Sequence, residues 1–89
     1  MRKNISQSKN ESPKSLAFRL TGQLNGGDFD QWLKRHARKL NVEFEITQRS
    51  SRLICIKAVG LSEMVEAFAL AASLGPKSVN IDELTMIDS

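Results

Sequence analysis

The chain has 89 residues and a formal net charge of +3, and 40% of its residues are hydrophobic. No window approaches the 18 consecutive apolar residues of a transmembrane helix, and the first residues lack the apolar segment of a signal peptide, so we expect a cytoplasmic protein. A single cysteine, Cys55, excludes an intrachain disulfide, and the apolar run around it predicts a buried thiol.

The first 14 residues differ in composition from the rest of the chain. Met1 and Ile5 are their sizeable apolar side chains, which are too few to offset the entropy of ordering the segment. We therefore predict a flexible basic tail over residues 1–14 and one folded domain over residues 15–89. The tail has four basic residues and one acidic residue, which leaves nine of each in the domain. A formally neutral domain argues against nucleic acid as the partner, because such binding requires several phosphates to be neutralised on one surface.

A strand, a glycine-rich break and a helix are expected first in the domain. From Ser15 apolar and polar residues alternate, which predicts a half-buried strand that ends in the segment 22–27. Asp28 lies three residues before Gln31, which predicts a helix N-cap with a capping-box partner. The apolar residues on one face of this helix are Trp32, Leu33, Ala37 and Leu40.

Two more strands, a second helix and a last strand follow. Alternating residues from 42 to 47 and an apolar run from 53 to 59 predict two strands joined by a hairpin turn at 49–52. Ser62 is expected to cap a second helix that ends at Gly75. The predicted buried stripe of that helix includes Met64, Val65, Phe68 and Ala72. The alternating run that begins at Val79 predicts the final strand.

The order β-α-β-β-α-β with two amphipathic helices is typical of one architecture. We predict an α+β, ferredoxin-like sandwich, in which a four-stranded antiparallel sheet has two helices on one face.

The loop and first helix, from Gly22 to Leu40, resemble those of the acylphosphatase family. The family pattern there is G-x-V-Q-G-V-G-F-R, and this chain has at the matching positions Gly22, Leu24, Asn25, Gly26, Gly27, Asp28, Phe29 and Asp30. Gly75 with Pro76 also resembles the family's turn after the second helix. The resemblance implies a loop whose backbone N–H groups cradle a phosphate, an arginine that neutralises it, and an asparagine on the second strand that positions the attacking water.

At two positions that the resemblance identifies as functional, this chain has a different residue from the family. Asp30 stands at the arginine position and Gln48 at the asparagine position, so we assign no catalytic residue. A carboxylate about 5 Å from a phosphate oxygen repels it by roughly 3 kcal/mol at an effective dielectric constant of about 20. We therefore interpret the segment from Asn25 to Asp30 as the remnant of an anion-binding loop.

Helix stability alone also explains the two aspartates, because acids in a first turn contribute roughly 0.3 to 1 kcal/mol. Asp28 and Asp30 with loop carbonyls would make a thin cation site, and we expect neither a metal nor a cofactor. His36 borders the apolar face of the first helix and is expected to be a partly buried histidine rather than a ligand.

A basic cluster is a candidate surface for an acidic partner, although such clusters are more often solvated faces. Its members are Lys34, Arg35, Arg38, Lys39, Arg49 and Arg52. The outward positions of the predicted sheet lack the aromatic residues on which RNA bases stack, and they are Arg19, Thr21, Glu43, Glu45 and Lys57. Edge strands of the small open sheet offer a further surface for self-association.

The sequence thus leads to one main hypothesis and two alternatives. The main one is an acylphosphatase-like domain that has lost efficient acyl-phosphate hydrolysis and binds a protein or a small anion as a regulatory module. The first alternative is a divergent acylphosphatase in which Arg19, Arg35 or Arg49 supplies the missing charge. The second is a nucleic-acid accessory protein that uses its basic tail and helix. We expect no membrane partner.

Overall fold

The computed structural model describes residues 13–87 and has the predicted order of elements. The first strand begins two residues before the predicted start of the domain, and residues 1–12 of the predicted tail lie outside the described residues. The elements are β1 (Pro13–Gln23), α1 (Phe29–Leu40), β2 (Glu43–Arg49), β3 (Leu53–Leu61), α2 (Ser62–Leu74) and β4 (Asn80–Ile87).

The four strands form one antiparallel sheet in the order β2-β3-β1-β4. The long strands β1 and β3 occupy the centre, where Phe18 is paired with Ile56 and Leu20 with Ile54. All four of these side chains are buried and face the two helices. The predicted ferredoxin-like sandwich is confirmed.

Aromatic and aliphatic side chains fill the space between the sheet and the helices. The ring of Phe68 in α2 lies 6.2 Å from that of Phe18 and 5.3 Å from that of Phe44, measured between centroids. On the predicted apolar face of α1, Leu33 is fully buried, and Trp32 is partly buried. The Trp32 indole Nε1–H donates a hydrogen bond to the carbonyl oxygen of Ala71 at 3.1 Å, which joins the two helices.

The face of the sheet opposite the helices is open. Cys55 lies on this face and is half-buried, so the prediction of a buried thiol is wrong. The reason is the alternation of β3, which turns Ile54 and Ile56 toward the helices and the residue between them away. Within residues 13–87 the open face has no aromatic side chain, and neither helix is long and apolar enough to cross a membrane.

Both helices start without the predicted side-chain caps. Asp28 is the N-cap of α1, but its side chain makes no capping hydrogen bond, so the predicted capping box with Gln31 is wrong. Leu61, rather than Ser62, is the N-cap of α2. The first backbone N–H groups of α1 are therefore not covered by a side chain.

Candidate functional site

A cleft of about 470 Å³ opens where the β1–α1 loop meets the hairpin turn between β2 and β3. Pairing of the neighbouring strands β1 and β3 brings the two loops together. The backbone N–H of Leu24 donates to the carbonyl oxygen of Ser51 at 2.8 Å. The cleft is lined by Leu24, Asn25, Gly26, Gly27, Asp30, Arg49, Ser50 and Ser51.

Two glycines let the β1–α1 loop follow its path. Gly22 has φ +144°, at a point where the pairing of β1 with β4 shifts register, and a Cβ atom there would overlap the carbonyl oxygen of Asn80. A Cβ on Gly26 would overlap the side chain of Ser78. The loop is therefore packed against the segment that precedes β4.

Asp28 is held by that same segment. Its carboxylate accepts a hydrogen bond from the Ser78 hydroxyl, which turns the side chain away from the cleft. Phe29 is buried in the core and fixes the start of α1. Of the predicted anion-loop remnant, Asn25, Gly26, Gly27 and Asp30 thus line the cleft, and the other two residues anchor the loop.

Three backbone N–H groups of residues that line the cleft make no hydrogen bond within the loop. Inside the loop, the Phe29 N–H donates to the Gly26 carbonyl at 3.3 Å. Among residues 13–87, no hydrogen-bond acceptor is found for the N–H groups of Asn25, Gly26 and Gly27. Free N–H groups of this kind, and those of an uncapped first helical turn, carry partial positive charges.

Two of the residues that line the cleft form an ion pair. Arg49 Nη2 lies 2.6 Å from Asp30 Oδ1, with 49% and 48% of the two side chains exposed. A pair of this geometry is a charge-assisted hydrogen bond, although its exposure limits its net contribution to stability to about 1 kcal/mol or less. The guanidinium beside the loop is therefore already neutralised by a carboxylate of the protein.

A β-bulge explains why Arg49, and not Gln48, reaches the cleft. Ile46 is paired with Ile56 on the helix side, and regular alternation would place Gln48 on that side as well. The register shifts after Ile46, so that Thr47 and Gln48 together oppose Cys55, and Arg49 pairs with the buried Ile54. Gln48 instead lies on the open face, where its Oε1 atom accepts a hydrogen bond from Cys55 Sγ at 3.8 Å.

The other arginines weighed as substitutes lie elsewhere. Arg19 is exposed on the open face, opposite Cys55, and Arg35 is exposed on the outward side of α1. Of the three, Arg49 is the one that the structure places at the loop.

The basic cluster does not form one continuous surface. Lys34, Arg35, Arg38 and Lys39 are exposed along α1, whereas Arg49 is engaged at the cleft. Arg52 lies on the far side of the hairpin turn, where it lines a separate groove with Gln23, Asn25 and Ser51. The ring of His36 lies against that of Trp32 at a centroid distance of 4.5 Å, with the two planes tilted by 52°.

Sequence reasoning missed three serines of the site. Ser50 and Ser51 line the cleft, and Ser78 holds Asp28 from 50 residues away. The strand order could have indicated Ser50 and Ser51, because it places their hairpin turn next to the β1–α1 loop. Nothing in the sequence indicates the contact of Ser78. Within residues 13–87, no group of three or more His, Cys, Asp or Glu residues is placed to hold a metal ion.

The chain resembles known proteins in its structure. No protein-family model and no curated protein matches the sequence. An acylphosphatase from Coxiella burnetii superposes with a TM-score of 0.74 at 16% identity, over 91% of this chain and 85% of that one. An acylphosphatase from Bacillus subtilis gives 0.75 at 17% identity, over 88% and 86%.

A third similar structure is a much larger protein. Full-length HypF, in a phosphate- and nucleotide-bound form, gives a TM-score of 0.64 at 24% identity, over 88% of this chain and 11% of that one. The likeness is therefore to a small part of that protein. From the element order and these superpositions, the chain has the acylphosphatase-like form of the ferredoxin-like fold.

Proposed function

We propose that this chain is a binding or regulatory module that does not efficiently hydrolyse acyl phosphates. The observation that carries the proposal is the ion pair between Asp30 and Arg49, which both line the cleft. An acyl phosphate would have to compete with the Asp30 carboxylate for the guanidinium and would then lie beside a like charge.

The energetic cost of this competition follows from Coulomb's law. A phosphate oxygen about 5 Å from the Asp30 carboxylate is repelled by roughly 3 kcal/mol at an effective dielectric constant of about 20, and by about 1 kcal/mol in bulk water. Because Asp30 is half-exposed, the value lies between these limits. The same penalty applies to the transition state, whose negative charge an acyl-phosphate hydrolase must stabilise.

The position of Gln48 also supports loss of hydrolysis. An amide that positions the attacking water has to face the bound phosphate, and Gln48 lies on the opposite side of the sheet. The donors that remain are the loop N–H groups, which suit a small anion or the anionic group of a partner protein.

A second candidate function is a divergent acylphosphatase in which Arg49 replaces the arginine at position 30. The observation in its favour is that Arg49 faces the loop and its N–H groups. On this hypothesis the substrate displaces Asp30, and Arg49 neutralises the phosphate from the β2 side.

Hydrolysis of a simple acyl phosphate separates the two candidates. We expect the native protein to turn over no faster than a heat-denatured blank, and turnover that Arg49→Gln abolishes would instead establish the divergent enzyme. The double variant Asp30→Arg with Arg49→Asn puts an arginine in the first turn of α1 and an amide at the β2 position that faces the loop. Activity gained by this variant alone would support a scaffold whose hydrolysis these two residues prevent.

A further inference from the structure

The helix α2 has an apolar ridge on the side that faces away from the sheet. Val65, Phe68, Ala69 and Ala72 form its buried side. On the opposite side Leu70 is 65% exposed and Leu74 is 71% exposed, and Ala67 is exposed beside them. These three residues, the outer ridge, are spaced by three and four positions and therefore lie in one line along the helix. A helix that packs only on its own sheet normally has a polar outward side.

The neighbouring helix has the complementary charge. The outward side of α1 has four exposed basic residues, namely Lys34, Arg35, Arg38 and Lys39. At the other helix, Glu63 is exposed in the first turn of α2, on the same side as the outer ridge. Glu66 is also exposed, but it already pairs with Lys14 at 3.1 Å. The outward layer of the molecule is thus basic on one helix and apolar and acidic on the other.

The two helices run in opposite directions. α1 follows β1 and α2 follows β3, and because these two strands are antiparallel, the two helices are antiparallel as well. The hydrogen bond from Trp32 Nε1 to the Ala71 oxygen places the first half of α1 beside the last half of α2. With Trp32 beside Ala71, Arg38 and Lys39 are within about two residues of the level of Glu63, and Lys34 and Arg35 are within about two residues of the level of Leu70. Leu74 is level with the first turn of α1.

We propose that two copies of this chain associate through their helical faces, around a two-fold axis parallel to the helices and midway between them. Such an axis lays α2 of each copy on α1 of the other and repeats every contact twice, as a two-fold interface requires. Glu63 of one copy then meets Arg38 and Lys39 of the second copy. Leu70 meets the aliphatic parts of Lys34 and Arg35, which cover apolar surface well, and Leu74 lies opposite the first turn of α1, near the exposed Gln31.

The charge distribution selects this arrangement over the other two-fold stacking of the same face. An axis perpendicular to the helices would place α1 on α1, and the four basic residues of each copy would face the same four of the second copy. Like charges brought together in this way cost several kcal/mol. The parallel axis replaces that repulsion with pairs of opposite charge at both ends of the interface.

The size of the face sets the expected affinity. Two helices about 18 Å long and about 10 Å apart present on the order of 400 Å² per copy, roughly half of a standard interface. A weak, reversible dimer with a dissociation constant on the order of 100 µM is therefore expected, and it should be weaker at high salt.

Sedimentation velocity of the full chain over a range of concentrations tests the proposal. The native protein is expected to show a concentration-dependent dimer, and Leu70→Glu should weaken it at least tenfold, because a charge enters the apolar contact. The matched control is Met86→Glu, in which a 50% exposed residue of the edge strand β4 receives the same charge. It should leave the dissociation constant within about twofold. A native protein that stays monomeric to millimolar concentration overturns the proposal, as does a dimer weakened only by Met86→Glu.

Charge exchange provides an independent check. Glu63→Arg and Arg38→Glu should each weaken the dimer several-fold, and the double variant should recover most of the loss, because the pair is restored with its signs exchanged. Both residues are exposed, so circular dichroism should show native folding for all three variants. Equal weakening in the double variant, with no recovery, overturns the proposed pairing of the two helices.

Discussion

Replacing Asp30 with asparagine should raise the affinity of the cleft for inorganic phosphate. The substitution keeps the size of the side chain but removes the negative charge that lies 2.6 Å from Arg49. The guanidinium then loses its competitor, while the loop N–H groups are unchanged. The repulsion removed is between about 1 and about 3 kcal/mol, which corresponds to about fivefold to about 150-fold in dissociation constant. Because both side chains are half-exposed, we expect the lower part of this range.

The affinity can be measured by titrating phosphate into isotope-labelled protein and following the amide signals of the loop. In the Asp30→Asn variant the signals of Asn25, Gly26 and Gly27 should shift at lower phosphate concentration than in the native protein. Glu43→Gln is the matched control, since Glu43 is exposed at the start of β2, roughly 20 Å from Arg49 along the strand. An unchanged affinity in Asp30→Asn, or an equal gain in Glu43→Gln, would refute the argument that the local ion pair limits anion binding.

Three further predictions concern stability and can be checked by urea denaturation followed by circular dichroism. Gly22→Ala should lower the free energy of unfolding by roughly 2 kcal/mol or more, because Gly22 has a positive φ and a Cβ there would overlap β4. Gly27→Ala should change the free energy of unfolding by less than about 0.5 kcal/mol, because a Cβ there would have nothing within 4 Å. Equal effects would contradict the loop geometry. Ser78→Ala should cost about 1 kcal/mol through loss of the hydrogen bond to Asp28, and a neutral result would count against that bond. Phe68→Ala should cost about 3 to 5 kcal/mol, because the ring is fully buried, and a loss below about 1 kcal/mol would be inconsistent with that burial.

The fold followed from the sequence because its signals are local and repeated. The alternation from Ser15, the glycines after it and the apolar face around Leu33 each predict one element, and six such elements in this order leave few ways to arrange a sheet. The superpositions on two acylphosphatases agree with the predicted fold, although identity is only 16% and 17%.

The site was less predictable because it depends on a shift of one residue in the pairing of β2 with β3. Regular alternation from Phe44 and Ile46 predicts that Gln48 faces the loop, and the bulge at Thr47 gives that place to Arg49 instead. A bulge leaves little trace in a sequence, since any residue can be the extra one. The contact between Ser78 and Asp28 was equally hidden, because it joins two loops that are distant along the chain.

Because of its bulge, β2 can tolerate the loss of one residue at one position. Thr47 and Gln48 share one partner, so a deletion of Thr47 would turn an irregular pair of strands into a regular one. Ile46 and Arg49 would keep their partners and their sides of the sheet. Elsewhere in the strand, loss of one residue would move every following side chain to the opposite face. Insertion and deletion during evolution can therefore add or remove a residue at this point without displacing the arginine at the cleft.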